Sequence, residues 1–137
     1  MTVPSPEEEH FLEDRLYEYN RDQTGHDDGR SFGIFVRDDE QKVIAGLCGW
    51  TWARACEIRT LWVHPARRGR GHGRALLESA EREAATRGCI VVLLHTYSFQ
   101  APEFYRMCGY RLVWELNGFP PGYQHCGLIK RLAISSR

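Results

Sequence analysis

The stretch Arg67-Arg68-Gly69-Arg70-Gly71-His72-Gly73-Arg74 sets three glycines among four arginines and is the densest chemical signal in the chain. Glycine lets backbone N–H groups approach an anion closely, and arginine pairs with phosphate through two parallel donors. The stretch lies between a strand pattern and a helix pattern, so a helix N-terminus adds free N–H donors and a partial positive charge at the same place. No acidic residue occurs from Ile58 to Leu77. In a neutral chain that local polarisation suits a phosphorylated cofactor better than a merely solvated basic loop. Two familiar phosphate motifs are excluded. No lysine follows a glycine as GxxxxGK[ST] requires, and arginine stands at Arg74 where GxGxxG needs its third glycine.

Other chemistries are poorly supplied. The five cysteines, Cys48, Cys56, Cys89, Cys108 and Cys126, are odd in number and lack a CxxC pair, so no disulfide framework is expected. The six histidines form no HExxH and no ligand spacing with cysteine, so no metal is expected. Eighteen Lys+Arg balance eighteen Asp+Glu, which argues against a protein that coats nucleic acid or an anionic membrane. No run approaches the roughly eighteen apolar residues of a membrane span. The acidic start MTVPSPEEEHFLEDR is unlike a signal peptide, so a cytoplasmic protein is expected. With 137 residues, 42% hydrophobic and 26% charged, the chain is expected to form one domain over residues 1–137.

The elements that must hold the basic stretch can be read from periodicity. Phe11, Leu12, Leu16 and Tyr19 predict an amphipathic helix over 7–20, with Ser5 as N-cap. Alternation predicts strands over 32–36, 43–51 and 57–63, joined by short turns and so paired antiparallel. Leu76, Leu77, Ala80 and Ala84 mark a helix over 72–87 that ends at Gly88. The apolar run 90–94 predicts a strand buried on both faces, followed by a short helix over 101–107. Strands over 110–115 and 126–132 close the chain around the turn-rich 117–122. The sum is an α/β (α+β) fold with a mixed central sheet whose first half is antiparallel.

Leu61-Trp62-Val63-His64-Pro65, followed after two residues by Arg68-Gly69-Arg70-Gly71-His72-Gly73-Arg74-Ala75-Leu76-Leu77, resembles the signature of the GNAT acyl-CoA N-acyltransferase superfamily. Its usual statement, [Q/R]xxGx[G/A], is met by Arg68 to Gly73, although most members would begin the motif at Ala66 with glutamine. Phe104-Tyr105-Arg106-Met107-Cys108-Gly109-Tyr110 is similar to the second hallmark, FYxxxGF or FYxxxGY. The likeness covers about residues 32–132 and implies helices on both faces of the sheet; the family usually opens with a strand and two helices, so a shortened N-terminus is expected here.

The resemblance also implies roles. Main-chain groups of Leu61, Trp62 and Val63 would hold the pantetheine arm of acetyl-CoA. The pyrophosphate would sit on Arg68, Gly69, Arg70, Gly71, His72, Gly73 and Arg74, with Ser98, Ala101 and Phe104 as further cofactor contacts; Ser98 stands where an asparagine is usual. Tyr105 would protonate the departing thiolate. Glu57, the one carboxylate on the third strand and six residues before Val63, would accept the amine's proton, with His64 and His95 as alternatives. Period two places Glu57 and Val63 on one strand face. Trp50 and Trp52, sharing a face, would wall the acceptor pocket with Tyr123; Trp62, Trp114 and Tyr97 are the other large aromatics on these elements. Cys89 and Cys108 lack obvious His and acid partners, which favours direct transfer over a covalent thiol route. The expected activity is acetyl transfer to a primary amine of a small molecule or peptide, against the alternatives of another acyl group or a silent CoA-binding module. A homodimer is expected through the C-terminal strands, on Val113, Cys126, Leu128 and Ile134, with Trp114, Phe119 and Tyr123 beside a far-edge strand; the alternative is that Lys130 and Arg131 act as charged blockers of that edge.

Overall fold

The computed structural model describes residues 1–133. In chain order they form α1 (Pro6–Thr24), β1 (Arg30–Arg37), β2 (Val43–Trp52), β3 (Ala55–Val63), a 3-10 turn (Pro65–Arg67), α2 (His72–Thr86), β4 (Val91–Tyr97), α3 (Pro102–Met107), β5 (Arg111–Asn117) and β6 (Gln124–Arg131). The six strands make one sheet in the order β1-β2-β3-β4-β6-β5. All neighbours are antiparallel except β3 and β4, so the sheet is mixed with an antiparallel first half, as expected. No strand precedes α1 among the described residues.

Burial falls on one face of the sheet. The α2 stripe of Leu76, Leu77, Ala80 and Ala84 packs with Ala45, Leu47, Cys56, Ile58, Val92, Leu94, Cys126 and Leu128 in a single core cluster. A fully buried leucine contributes about 1.5–3 kcal/mol, which fixes α2 firmly. Tyr105 of α3 and Tyr110 close the same core. On the opposite face α1 rests its Tyr17 ring edgewise on Trp50 and Trp52. Its predicted apolar stripe is present but uncovered: Phe11, Leu12, Leu16 and Tyr19 are all exposed, and α1 buries no residue. No helix of the described residues is long and apolar enough to cross a membrane.

Three expectations are corrected. The run 90–94 is not buried on both faces: Val92 and Leu94 are buried, while Val91 and Leu93 on the other face are only half-buried. β6 lies inside the sheet with β5 at the edge, so Lys130 is no edge blocker; its ammonium is bonded to Glu81 and the Cys108 carbonyl. Cys126 and Leu128 face the core and offer nothing to a partner, whereas Val113 and Trp114 are exposed on the edge strand. Ile134 lies outside the described residues.

Candidate active site

The parallel pairing of β3 with β4 covers only Ala55–Glu57 against Val91–Leu93. Beyond Glu57, β3 continues to Val63 and β4 to Tyr97, each paired on its outer side to β2 or β6. The two facing edges therefore splay, and backbone donors and acceptors of Ile58–Val63 are left without a strand partner on that side. Such an edge is ready to pair with an extended amide-bearing ligand. Leu61, Trp62 and Val63 lie on it, as expected of groups that hold a pantetheine arm.

A bulge decides which side chains face which way. The register steps from Cys48↔Thr60 to Gly49↔Ile58, leaving Arg59 without an opposite partner on β2. One extra residue reverses the alternation. Leu61 and Val63 pack against the core cluster that also holds Cys56 and Ile58, while Glu57 points to the other face. The expectation that Glu57 and Val63 share a face is thus overturned by the bulge. Glu57 is half-buried, and its Oε1 accepts from Arg59 Nε at 3.2 Å, with the guanidinium lying 5.4 Å from the Trp50 ring.

After β3 the chain makes the 3-10 turn, capped by His64, whose Nδ1 accepts from the Ala66 N–H at 3.0 Å. That lone pair is spent on the cap, which removes His64 Nδ1 as a base. The chain then enters α2 through Gly69 and Gly71, both at positive φ (+77° and +83°). A Cβ at either position would meet nothing within 4 Å, so the space before the helix is open, and only glycine adopts this backbone without strain. Gly71 is the N-cap of α2, with no side-chain capping bond and no acid in the first turn. The first N–H groups of α2 consequently lack a capping side chain and face that space. This donor set fits a pyrophosphate: N–H groups, a helix dipole and the guanidinium of Arg70.

The neighbouring arginines are not all free. Arg68 Nε donates to the Val63 carbonyl at 3.3 Å and Arg74 to the Met107 carbonyl at 3.4 Å, so these two brace the cradle to β3 and α3. A Cβ at Gly73 would stand 3.1 Å from the Phe104 ring, so this glycine is needed for the close approach of α3 to α2. Ala101 is the N-cap of α3, in left-handed backbone at φ 58°. Ser98 Oγ accepts from the Gln124 N–H at 3.0 Å, pinning the end of β4 to β6 while its own proton stays available.

Tyr105 is 9% exposed, and burial pushes its phenol up to about 12. Its hydroxyl finds no protein partner among the described residues, yet no fully buried polar side-chain atom there lacks one, so the oxygen reaches open space. Tyr110 is the contrast: its hydroxyl donates to Glu81 Oε2 at 2.9 Å, and burial beside that carboxylate raises its phenol further.

The aromatics of the expected wall, Trp50, Trp52 and Tyr123, fall in two groups rather than one, and Trp62 stands apart beside His64. Trp50 and Trp52 meet Tyr17 and His26 beneath α1. Tyr123 instead contacts Phe99, which stacks on Tyr97, which stacks on His125; Trp114 meets His125 edgewise. His125 escapes a reading of the sequence because β6 pairing, not spacing, brings it beside Tyr97, whereas Arg59 is legible as a partner of Glu57 two residues away on the same strand.

Comparison with known proteins agrees with this geometry. A family model described as the acetyltransferase (GNAT) family matches residues 2–110. An acetyltransferase of Agrobacterium fabrum is 33% identical over 94% of both chains. Blasticidin-S acetyltransferase of Streptomyces morookaense is 34% identical over 74% of this chain and 75% of its own. The crystal structure of an acetyltransferase from Bacillus cereus superposes with a TM-score of 0.81 at 29% identity, over 96% of each chain.

Proposed function

The chain belongs to the GNAT acetyltransferase family, and from that premise we propose that it moves the acetyl group of acetyl-CoA directly to a primary amine of a small molecule. The observation that carries this reading is the junction of an unpaired β3 edge with the uncapped N-terminus of α2. One offers amide partners to an extended arm, the other an anion site at its end. When bound, acetyl-CoA supplies the activated thioester. A small-molecule acceptor is favoured by the likeness to blasticidin-S acetyltransferase.

The residues of the chain then have distinct tasks. Leu61, Trp62 and Val63 hold the pantetheine through their main chain, and Gly69 to Gly73 with Arg70 hold the pyrophosphate. Tyr105 gives its proton to the leaving sulfur. Burial keeps the phenol protonated at neutral pH, the form that can give a proton. Glu57, on the face opposite the core, receives the proton of the attacking amine directly or through water. Burial raises the thiols of Cys89 and Cys126 and pushes that of Cys56 up to about 12, which suits them to the core and not to nucleophilic catalysis.

The test is thiol release from acetyl-CoA across a panel of amines, corrected for hydrolysis. Amine-dependent release with matching acetylated product supports the reading. CoA binding without release for any amine would fit a binding module instead. Tyr105→Phe should lower kcat about 100-fold, the low end for loss of a general acid. CoA affinity should stay within about threefold, and the melting temperature should hardly move, because no protein hydrogen bond is lost. Unchanged kcat would remove Tyr105 from the chemistry.

A further inference from the structure

On β3, Arg59 is the extra residue of the bulge and stands between Glu57 and the Leu61–Val63 edge. Its guanidinium lies on the same face as Glu57 and Trp50, which are register partners. Nε donates to Glu57 Oε1 at 3.2 Å, and the guanidinium carbon lies 5.4 Å from the centre of the Trp50 ring. Trp50 is itself locked, by Tyr17 set edgewise at 5.7 Å and by Gly29, where a Cβ would stand 2.6 Å from the indole. The two terminal nitrogens of Arg59 and the Oε2 of Glu57 have no protein partner among the described residues. The two side chains are 52% and 41% exposed, so these atoms are open to a ligand. An ion pair this open adds little to folding. What it does is present a carboxylate oxygen and a two-donor fork side by side, on the strand where the β3 edge loses its partner.

We propose that the Glu57–Arg59 pair docks the acceptor as a zwitterion, so that the acceptor is an α-amino acid or a derivative that keeps a carboxylate beside the reacting amine, with Arg59 as the specificity-determining residue. The inference rests on the amine-acetylation reading above and names its substrate class. An α-amino acid carries its ammonium and its carboxylate on one carbon, so its two charges lie side by side as those of the pair do. The terminal nitrogens of Arg59 donate to the two carboxylate oxygens in the parallel fork that a guanidinium forms with this group. The ammonium then meets Glu57 Oε2. In the step, an N–H bond of the ammonium breaks as an O–H bond forms on Glu57. The nitrogen lone pair forms the bond to the acetyl carbon, the C–S bond breaks, and Tyr105 gives the sulfur a proton. The nitrogen sheds a second proton as the amide forms, which restores Tyr105 through solvent. The sum is an N-acetylamino acid, the thiol of CoA and one proton. With the carboxylate clamped, the nitrogen is held at the open β3 edge in one orientation. A plain amine meets Glu57 alone and leaves the fork to water.

The test compares matched acceptors, L-alanine with L-alaninol and L-phenylalanine with L-phenylalaninol, in which a hydroxymethyl group replaces the carboxylate. Thiol release is read as kcat/KM for the acceptor at saturating acetyl-CoA. The wild-type protein should acetylate at least one of the acids and prefer it to its alcohol at least about tenfold. Arg59→Gln should bring that ratio to within about twofold of one, chiefly through the KM of the acid, with the KM for acetyl-CoA and the melting temperature unchanged. Arg59→Lys, which keeps the charge and loses the fork, should give a ratio between the two. Comparing ratios between proteins cancels the difference in amine basicity within a pair, and any effect of the substitution on Glu57, which both members use. A ratio unchanged in Arg59→Gln, or a wild-type protein that takes the alcohols as well as the acids, would overturn the proposal and leave the acetylation reading standing. So would release with other amines and with neither acid. No amine-dependent release at all would remove the acetylation reading and the proposal with it.

Discussion

The N-termini of α1 and α2 solve the same problem in opposite ways. At α1, Ser5 Oγ accepts from the Glu8 N–H at 3.1 Å, and Glu8 Oε1 accepts from the Ser5 N–H at 2.9 Å. Pro6 opens the helix, and Glu7, Glu8 and Glu9 line its first turn. At α2 the cap is a left-handed glycine, the first turn holds no acid, and arginines stand nearby. The difference follows from what holds each helix. α1 buries nothing, so its ends must be satisfied by its own residues; α2 is fixed by four buried residues and can leave its donors open. A helix anchored by packing is the one that can offer its N-terminus to a ligand.

The largest expected effect comes from closing the open end with charge. Gly71→Glu places a side chain and a negative charge in the space before α2, at a φ of +83° that no L residue adopts without strain. CoA affinity should fall at least about 100-fold by calorimetry, with Gly71→Ala as the control that carries the backbone strain but no charge. An intact affinity in the glutamate variant would separate the cradle from the cofactor.

A milder change sharpens the contrast by making α2 resemble α1. His72→Glu puts an acid in the first turn of α2, where the dipole favours it by about 0.3–1 kcal/mol. Thermal unfolding should occur at a slightly higher temperature without ligand, while CoA binding weakens about tenfold. A gain in stability with no loss of affinity would show that the donors of α2 do not meet the phosphates.

The smallest effect belongs to α1. Ser5→Ala should cost about 1 kcal/mol in denaturant unfolding and leave CoA affinity unchanged. The two bonds to Ser5 hold the Glu8 carboxyl below its ordinary value. A carboxyl lowered in the folded state contributes stability above its unfolded value that is lost as pH falls through the folded one. The Glu8 carboxyl accepts from the Ser5 backbone N–H, so the variant that removes it is Glu8→Ala, whose deficit should narrow between about pH 5 and pH 3; a deficit constant over that window would mean the Glu8 half of the box contributes nothing.

The same contrast explains what was legible in the sequence. The open end of α2 could be read directly because it is made of backbone, and glycines with arginines before an apolar helical stripe announce it. The element order was legible for a like reason, since periods of two and 3.6 survive in a single sequence. Side-chain convergence was not. Whether Glu57 and Val63 share a face depends on a bulge at Arg59 that no residue type marks. The 3.0 Å contact between the His95 and His125 rings depends on β6 inserting between β4 and β5, a topology that local patterns do not encode. The α1 stripe misleads in the other direction, promising burial that this chain does not provide.

The central claim, that the open end of α2 holds the pyrophosphate of CoA, is tested most directly by titrating the wild-type protein with CoA and with pantetheine in a calorimeter. Pantetheine keeps the arm that pairs with β3 and lacks the pyrophosphate. CoA should bind at one site per chain and at least about 100-fold more tightly than pantetheine, a difference of about 2.7 kcal/mol. Equal affinities for the two would contradict the claim.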